Sequence, residues 1–226
     1  MNRSNRIALT LAAVCGLAVS SVAHAAFTTP AWSRPADNVA ASATGTTYQY
    51  WDVFTSVVGP NAPDIANINP NGVANVFDSG APADGAFLTG GNMYSAVASL
   101  KPRASIPGYN VPGNSLEVLV QLFVQGLEIN INSLTVDGVP ANTLTAFNYQ
   151  ELSRVPLGGP GGAAVEHLWS FTLPSDAASF QLDWNWGTPH SMFDRLSIDT
   201  HSVPEPGSLA LLAIGAAMIL RRRTMA

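Results

Sequence analysis

Apolar and polar residues alternate along most of the middle of this chain, and a period of two fits a pleated strand with one buried face and fits no helix. Leu116, Val118, Val120, Leu122 and Val124 alternate with Glu117, Gln121 and Gln125, while Leu119 and Phe123 make the second face mixed. Leu127, Ile129 and Ile131 alternate with Glu128, Asn130 and Asn132. Val165, His167, Trp169, Phe171 and Leu173 form another stripe, and Phe180, Leu182, Trp184 and Trp186 a fourth. Further strands are expected in 46–58, 73–77, 86–89, 93–99, 143–150 and 190–200. Gly113-Asn114, Asp137-Gly138 and the Gly158-Gly159-Pro160-Gly161-Gly162 loop supply turn chemistry between them. The middle shows no long 3.6-residue period and no repeat of 20 to 50 residues, which sets aside helical bundles, solenoids and propellers. About ten short strands with such connectors predict an all-β chain, an antiparallel two-sheet β-sandwich of jelly-roll type, with a closed barrel as the alternative. Residues 59–85, rich in Pro, Asn, Gly and Asp, read as a long irregular excursion of the kind that carries function in sandwich proteins.

The two ends follow different rules. Arg3 and Arg6 precede an apolar run from Ile7 to about Val22, and Ala23-His24-Ala25-Ala26 follows it. Positive charge, greasy core and small residues at 23 and 25 are the three parts of a secretory signal peptide, so residues 1–25 are expected to form a signal helix cut after Ala25 by signal peptidase. Cys15, the one cysteine, lies inside that segment. The mature chain therefore lacks disulfides, a thiol nucleophile and cysteine-held metal. Residues 26–202 then form the passenger domain, with 26–45 as an arm.

The other end reads Val203-Pro204-Glu205-Pro206-Gly207, then an apolar stretch to Leu220, then Arg221-Arg222-Arg223. A helix over 207–220 is about 21 Å long, short of a bilayer core of about 30 Å, which suits brief residence in a membrane. The arginines hold the far end on the cytoplasmic side, so the domain before them faces outward. Pro204 and Pro206 are expected to block both helix and sheet pairing around Glu205 and to leave the segment extended, exposed and stiff. This layout over residues 203–226 resembles the PEP-CTERM sorting signal. The resemblance implies recognition at Pro204, Glu205 and Pro206 by an exosortase, a membrane-embedded cysteine transpeptidase, with Arg221, Arg222 and Arg223 as the cytoplasmic stop. It further implies a Gram-negative host, often one that makes extracellular polysaccharide.

Without both end signals the chain carries 5 basic and 14 acidic residues, a net charge of −9. Such a surface repels phosphate backbones, so nucleic acid is not an expected partner. Trp184 and Trp186 share a strand face, as do Tyr48 and Tyr50, with Trp51 on the opposite one; paired aromatics of this kind serve either as core or as a carbohydrate contact. Asp64, Asn75, Asp78 and Asp84 offer oxygen ligands near the irregular region, without the spacing of a calcium motif. His167 falls on an apolar face, Glu166 points away from it, and His190 and His201 lack zinc spacing. Glu128, Glu151 and Glu166 are the carboxylates a glycosidase would need to converge. Asp194 to Asp199 reads as a closing strand whose Arg195 and Asp199 lie on a solvated face. No phosphate loop, nucleophile elbow or metal motif is present, so neither cofactor nor metal is expected. The expectation is an exported, non-catalytic surface or matrix protein, resident briefly in the inner membrane and then at the cell envelope or outside it. The alternatives are a module binding the host's extracellular polysaccharide and, behind it, a secreted hydrolase.

Overall fold

The computed structural model describes residues 45–204, apart from 67–68, 110, 159–160 and 175–178. The signal segment 1–25, the arm up to residue 44 and everything after Pro204 lie outside the described residues.

Thirteen strands occur among the described residues: β1 (Thr46–Trp51), β2 (Ile65–Ala66), β3 (Asn75–Asp78), β4 (Phe87–Thr89), β5 (Asn92–Ser95), β6 (Pro102–Pro107), β7 (Asn114–Gly126), β8 (Thr135–Val136), β9 (Val139–Pro140), β10 (Thr145–Pro156), β11 (Ala163–Leu173), β12 (Ser179–Asp183) and β13 (Ser191–Pro204). They form two antiparallel sheets, as the alternation predicts. The larger has the order β10-β11-β7-β13-β1-β2, with the β4–β5 hairpin joined to β13 through β5; the smaller has the order β3-β6-β12-β8-β9. From β6 onward the chain changes sheet at each of β7, β8, β10, β12 and β13, so the two layers are stitched together by crossovers.

The core lies between the layers. Leu116, Val118, Val120 and Leu122 of β7, Trp169 and Phe171 of β11, and Leu196 and Ile198 of β13 face Val76, Ala104, Ile106, Val136, Phe180 and Leu182 of the smaller sheet. Trp186 meets Phe193 edge-on at 5.7 Å between ring centroids, and Phe54 lies 4.7 Å from the same Phe193 ring. Each such buried side chain stabilises the fold by roughly 1.5–3 kcal/mol.

Three expectations need correcting. The stripe Leu127, Ile129, Ile131 forms no strand: β7 ends at Gly126, and a short 3-10 turn, Ile131–Ser133, follows. Gly126 has φ 108° and a Cβ there would sit 2.1 Å from the His190 carbonyl, so the strand turns off at a position only glycine can occupy. Ile129 still reaches the core, while Leu127 is exposed. Next, β6 was not among the expected strands; the prolines at its first and last positions stand where a missing N–H costs least. Last, Arg195 and Asp199 are not on a solvated face. They are 6% and 0% exposed; β13 is central, flanked by β7 and β1, and Arg195 stacks over Phe123 at 4.5 Å. A bulge between Phe193 and Arg195 sets this parity, bringing Leu196 and Ile198 to the core and Arg195, Ser197 and Asp199 to the other face.

Residues 59–85 are more ordered than their composition suggests. Asn61, 3% exposed, donates to the carbonyls of Ser56 and Val76 (2.8 Å each) and accepts from the backbone of Thr55 and Ser56. Its own carbonyl accepts from Trp51 Nε1 at 2.9 Å.

Candidate sorting and processing site

The longest strand, β13, carries the chain to the edge of its tail. Ile198 to Pro204 pairs with Val120 to Asn114 of β7 without a break in register. The last residues are held from two sides. Ser202 N donates to the Gly45 carbonyl at 2.8 Å, and Ser202 Oγ accepts from Val111 N at 3.1 Å. The approach is close: a Cβ at Gly45, where φ is 84°, would come within 2.6 Å of Ser202 Cβ. Ser115 Oγ donates to the Val203 carbonyl at 3.4 Å, and Val203 and Pro204 pair with Ser115 and Asn114. The prolines were expected to exclude pairing, yet Pro204 closes β13. Proline lacks only the donor, and at a strand's last position its carbonyl and extended φ still fit.

Residues 202–223 match the family profile of the PEP-CTERM protein-sorting motif. The chain carries a PEP-CTERM sorting signal. The match covers about a tenth of the sequence and contains Pro204, Glu205, Pro206 and Arg221 to Arg223. The motif implies handling by an exosortase and export to the cell envelope or surface. No curated protein matches the chain significantly. Of the sorting residues, Pro204 alone is described; Glu205, Pro206 and Arg221 to Arg223 lie outside the described residues, as do Ala23 and Ala25. The motif and the fold therefore overlap: its first three residues, 202–204, are the last three of β13. No spacer separates the domain from its address.

Elsewhere the structure sorts the other candidates. Trp184 and Trp186 are 3% and 0% exposed and sit in the core, so the carbohydrate contact is corrected: neither ring offers a face to a sugar. The strand that carries them ends at Asp183, but the chain stays extended, with Trp184 N and Trp186 N bonded to the carbonyls of Pro102 and Leu100. Tyr48 and Trp51 are buried as well. The exposed aromatic contact missed from sequence is Phe87 against Tyr94, 5.3 Å apart at 79° on the β4–β5 hairpin, an edge-on pair rather than a flat platform.

Among the oxygen donors, Asp64 caps a turn, accepting from Asp52 N and Val53 N. Asp78 and Asp84 come together, 1% and 7% exposed; burial, and then Asp84, push the Asp78 carboxyl up to about 7. Among the described residues, no group of three or more His, Cys, Asp or Glu is arranged to hold a metal. His167 is buried beside Trp169 and shares a 2.9 Å hydrogen bond with Tyr149 through Nδ1; burial holds it down at about 4, so it is neutral. Glu128 and Glu151 do converge, but on Arg154, which bonds both and holds both carboxyls below their ordinary range. Glu166 faces the other side of β11, 3% exposed, where burial raises its carboxyl.

Proposed function

We propose that this protein is a non-catalytic envelope or extracellular-matrix component, a closed sandwich delivered by a signal peptide and released to its final place when the tail is removed. The observation that carries this is the sorting motif grown directly out of the last strand of a two-sheet domain. It gives the domain an address at the envelope. The non-catalytic part is supported by the fate of the ionisable groups. The acid of a glycosidase pair needs a raised carboxyl facing a partner across a groove. Here Glu128 and Glu151 are held ionised by one arginine, and Glu166 lies on the opposite face of the strand. Burial of Trp184 and Trp186 likewise removes the main support for a sugar-binding module.

The processing half is tested by intact mass. In the native host the mature protein should begin at Ala26 and lack the peptide from about residue 207 onward. Changing Pro204, Glu205 and Pro206 together to Ala should leave the tail attached and the protein in the inner membrane, with the N-terminal cut unchanged. Mature native-host protein that still carries Arg221 to Arg223 would make the tail an ordinary anchor. Coupling of the purified domain to the host's polysaccharide on a glycan array would overturn the matrix reading in favour of a binding module.

A further inference from the structure

We infer that the folded domain restrains its own processing, because the end of β13 and the start of the sorting motif are the same three residues. This rests on the sorting reading above. A peptidase that works within a chain binds its substrate extended, through main-chain hydrogen bonds along several residues. The main chain of 202–204 is already engaged. It is paired with Leu116, Ser115 and Asn114 on one side, and Ser202 is tied to Gly45 on the other and to Val111 through its hydroxyl. These pairings have to open before an enzyme cleft can use the same groups. Nor is there slack beyond them. Between Pro204 and the apolar stretch that begins at Gly207 lie two residues, so the gap to the membrane is about 10 Å at roughly 3.5 Å per residue. An enzyme embedded in that membrane reaches the motif against the wall of the sandwich.

Opening the final three pairs removes both obstacles. It frees the main chain of 202–204 and adds about 10 Å of reach. The remaining ten pairs with β7, from Ser191 to His201, keep the strand in place. Strand ends open at low free energy, and here Pro204 is exposed and Val203 half-buried, so Ser202 is the only buried side chain in the segment. The restraint thus sits at Ser202, and the segment beyond it acts as a short latch. The latch belongs to the substrate: a domain that has not completed β13 presents a freer motif than a finished one.

The test is a disulfide across the latch, Ser115→Cys with Val203→Cys, in the native host. The mature chain is otherwise free of cysteine, so the pair has no competitor. Tail removal is followed by intact mass in pulse-labelled cells, with and without a periplasm-permeable reductant. Oxidised protein should be processed more slowly than the same protein reduced, by roughly tenfold or more, while each single variant should process at the wild-type rate. Inserting Gly-Ser-Gly-Ser between Val203 and Pro204 in the cross-linked protein should restore the rate, since it supplies reach without opening the strand. Equal rates for oxidised and reduced protein, with wild type processed normally, would overturn the latch alone. A cross-linked protein that stays slow despite the insert would also overturn it, by placing the defect in folding. Retention of the tail by wild type would overturn the sorting reading itself.

Discussion

Changing Asp78 to Asn should make the protein more stable above neutral pH and leave it nearly unchanged in acid. Asp78 Oδ1 accepts from Lys101 N at 2.8 Å and from Gly80 N at 3.2 Å, and Asp84 Oδ1 accepts from Ala86 N at 3.0 Å. The other oxygens of both carboxyls, Oδ2 in each, are buried and accept no such bond. Burial penalises the charged carboxylate first, and the nearby Asp84 favours a proton between the two carboxyls next, which is why Asp78 is held at about 7 rather than 3.8. Over that window the native state keeps a proton that the unfolded chain has released. Stability is therefore greatest below about pH 4, falls as pH rises, and levels off above about 7. The span corresponds to roughly 4 kcal/mol as a ceiling, at about 1.4 kcal/mol per pH unit, and relaxation of the loop lowers it to about 1–3 kcal/mol. Asn keeps the acceptor for Gly80 and Lys101 and gives Asp84 a donor. Urea unfolding of residues 26–204 in chelator at pH 4.5 and pH 8 measures both limbs. The variant should gain about 1–3 kcal/mol on wild type at pH 8. A variant less stable than wild type at pH 8 would refute the shared proton. If added calcium then raised the wild-type midpoint and left Asp78→Asn unmoved, the pair would be a cation site.

Three further outcomes follow from the same coordinates. Trp186→Ala removes a fully buried ring that meets Phe193, and should cost about 3–5 kcal/mol by denaturant unfolding; wild-type-like melting would mean the ring is not core. His167→Phe should flatten the acid limb: native His167, held at about 4 by burial, stays neutral where the unfolded histidine gains a proton, so wild type loses stability as pH falls from about 6.5 to 4 and the variant does not. This limb opposes that of Asp78 between pH 4 and 6.5, so each must be read from the difference between variant and wild type. Reductant should leave the melting temperature of the mature protein unchanged, since the full chain's one cysteine, Cys15, lies in the segment read as the signal peptide.

What was legible in the sequence was whatever local periodicity controls. β7, β11 and β12 announce themselves because one face is continuously apolar, and β7 and β11 occupy the centre of the larger sheet. The stripe at Leu127 to Ile131 has the same period and fails, because Gly126 diverts the backbone and nothing in a two-residue alternation records that. β6 was missed because its only apolar residues between the two end prolines are Ala104 and Ile106, and only a partner on each side, β3 and β12, shows that it is a strand. The bulge in β13 is likewise beyond local reading. It exchanges the faces of everything after Phe193, so that Leu196 and Ile198 enter the core and Arg195 and Asp199 take the other face, where they are nonetheless buried. The pairing of Asp78 with Asp84 needs the five residues between them, 79–83, to fold back, so composition pointed to the region and missed the contact.

The sorting motif was legible for a different reason: it is written as a linear sequence for an enzyme to read, and does not depend on tertiary contacts. Its position in the fold was not legible, and that position carries a mechanical consequence. The anchor end of the domain leaves from a central strand that pairs with β7 over thirteen register positions and with β1 over six. Tension applied at Pro204 along β13 acts on those bonds in shear, so that many must give way together rather than one at a time. An edge strand such as β10, paired on one side and largely exposed, would peel from its end. If the C-terminus holds the protein to an envelope, force arrives there, and forced unfolding is governed by the unfolding rate rather than by the equilibrium free energy. Placing the exit on β13 thus favours kinetic resistance. The same arrangement leaves the last three pairs, exposed at Pro204 and clamped at Ser202, as the end of the strand nearest the sorting motif.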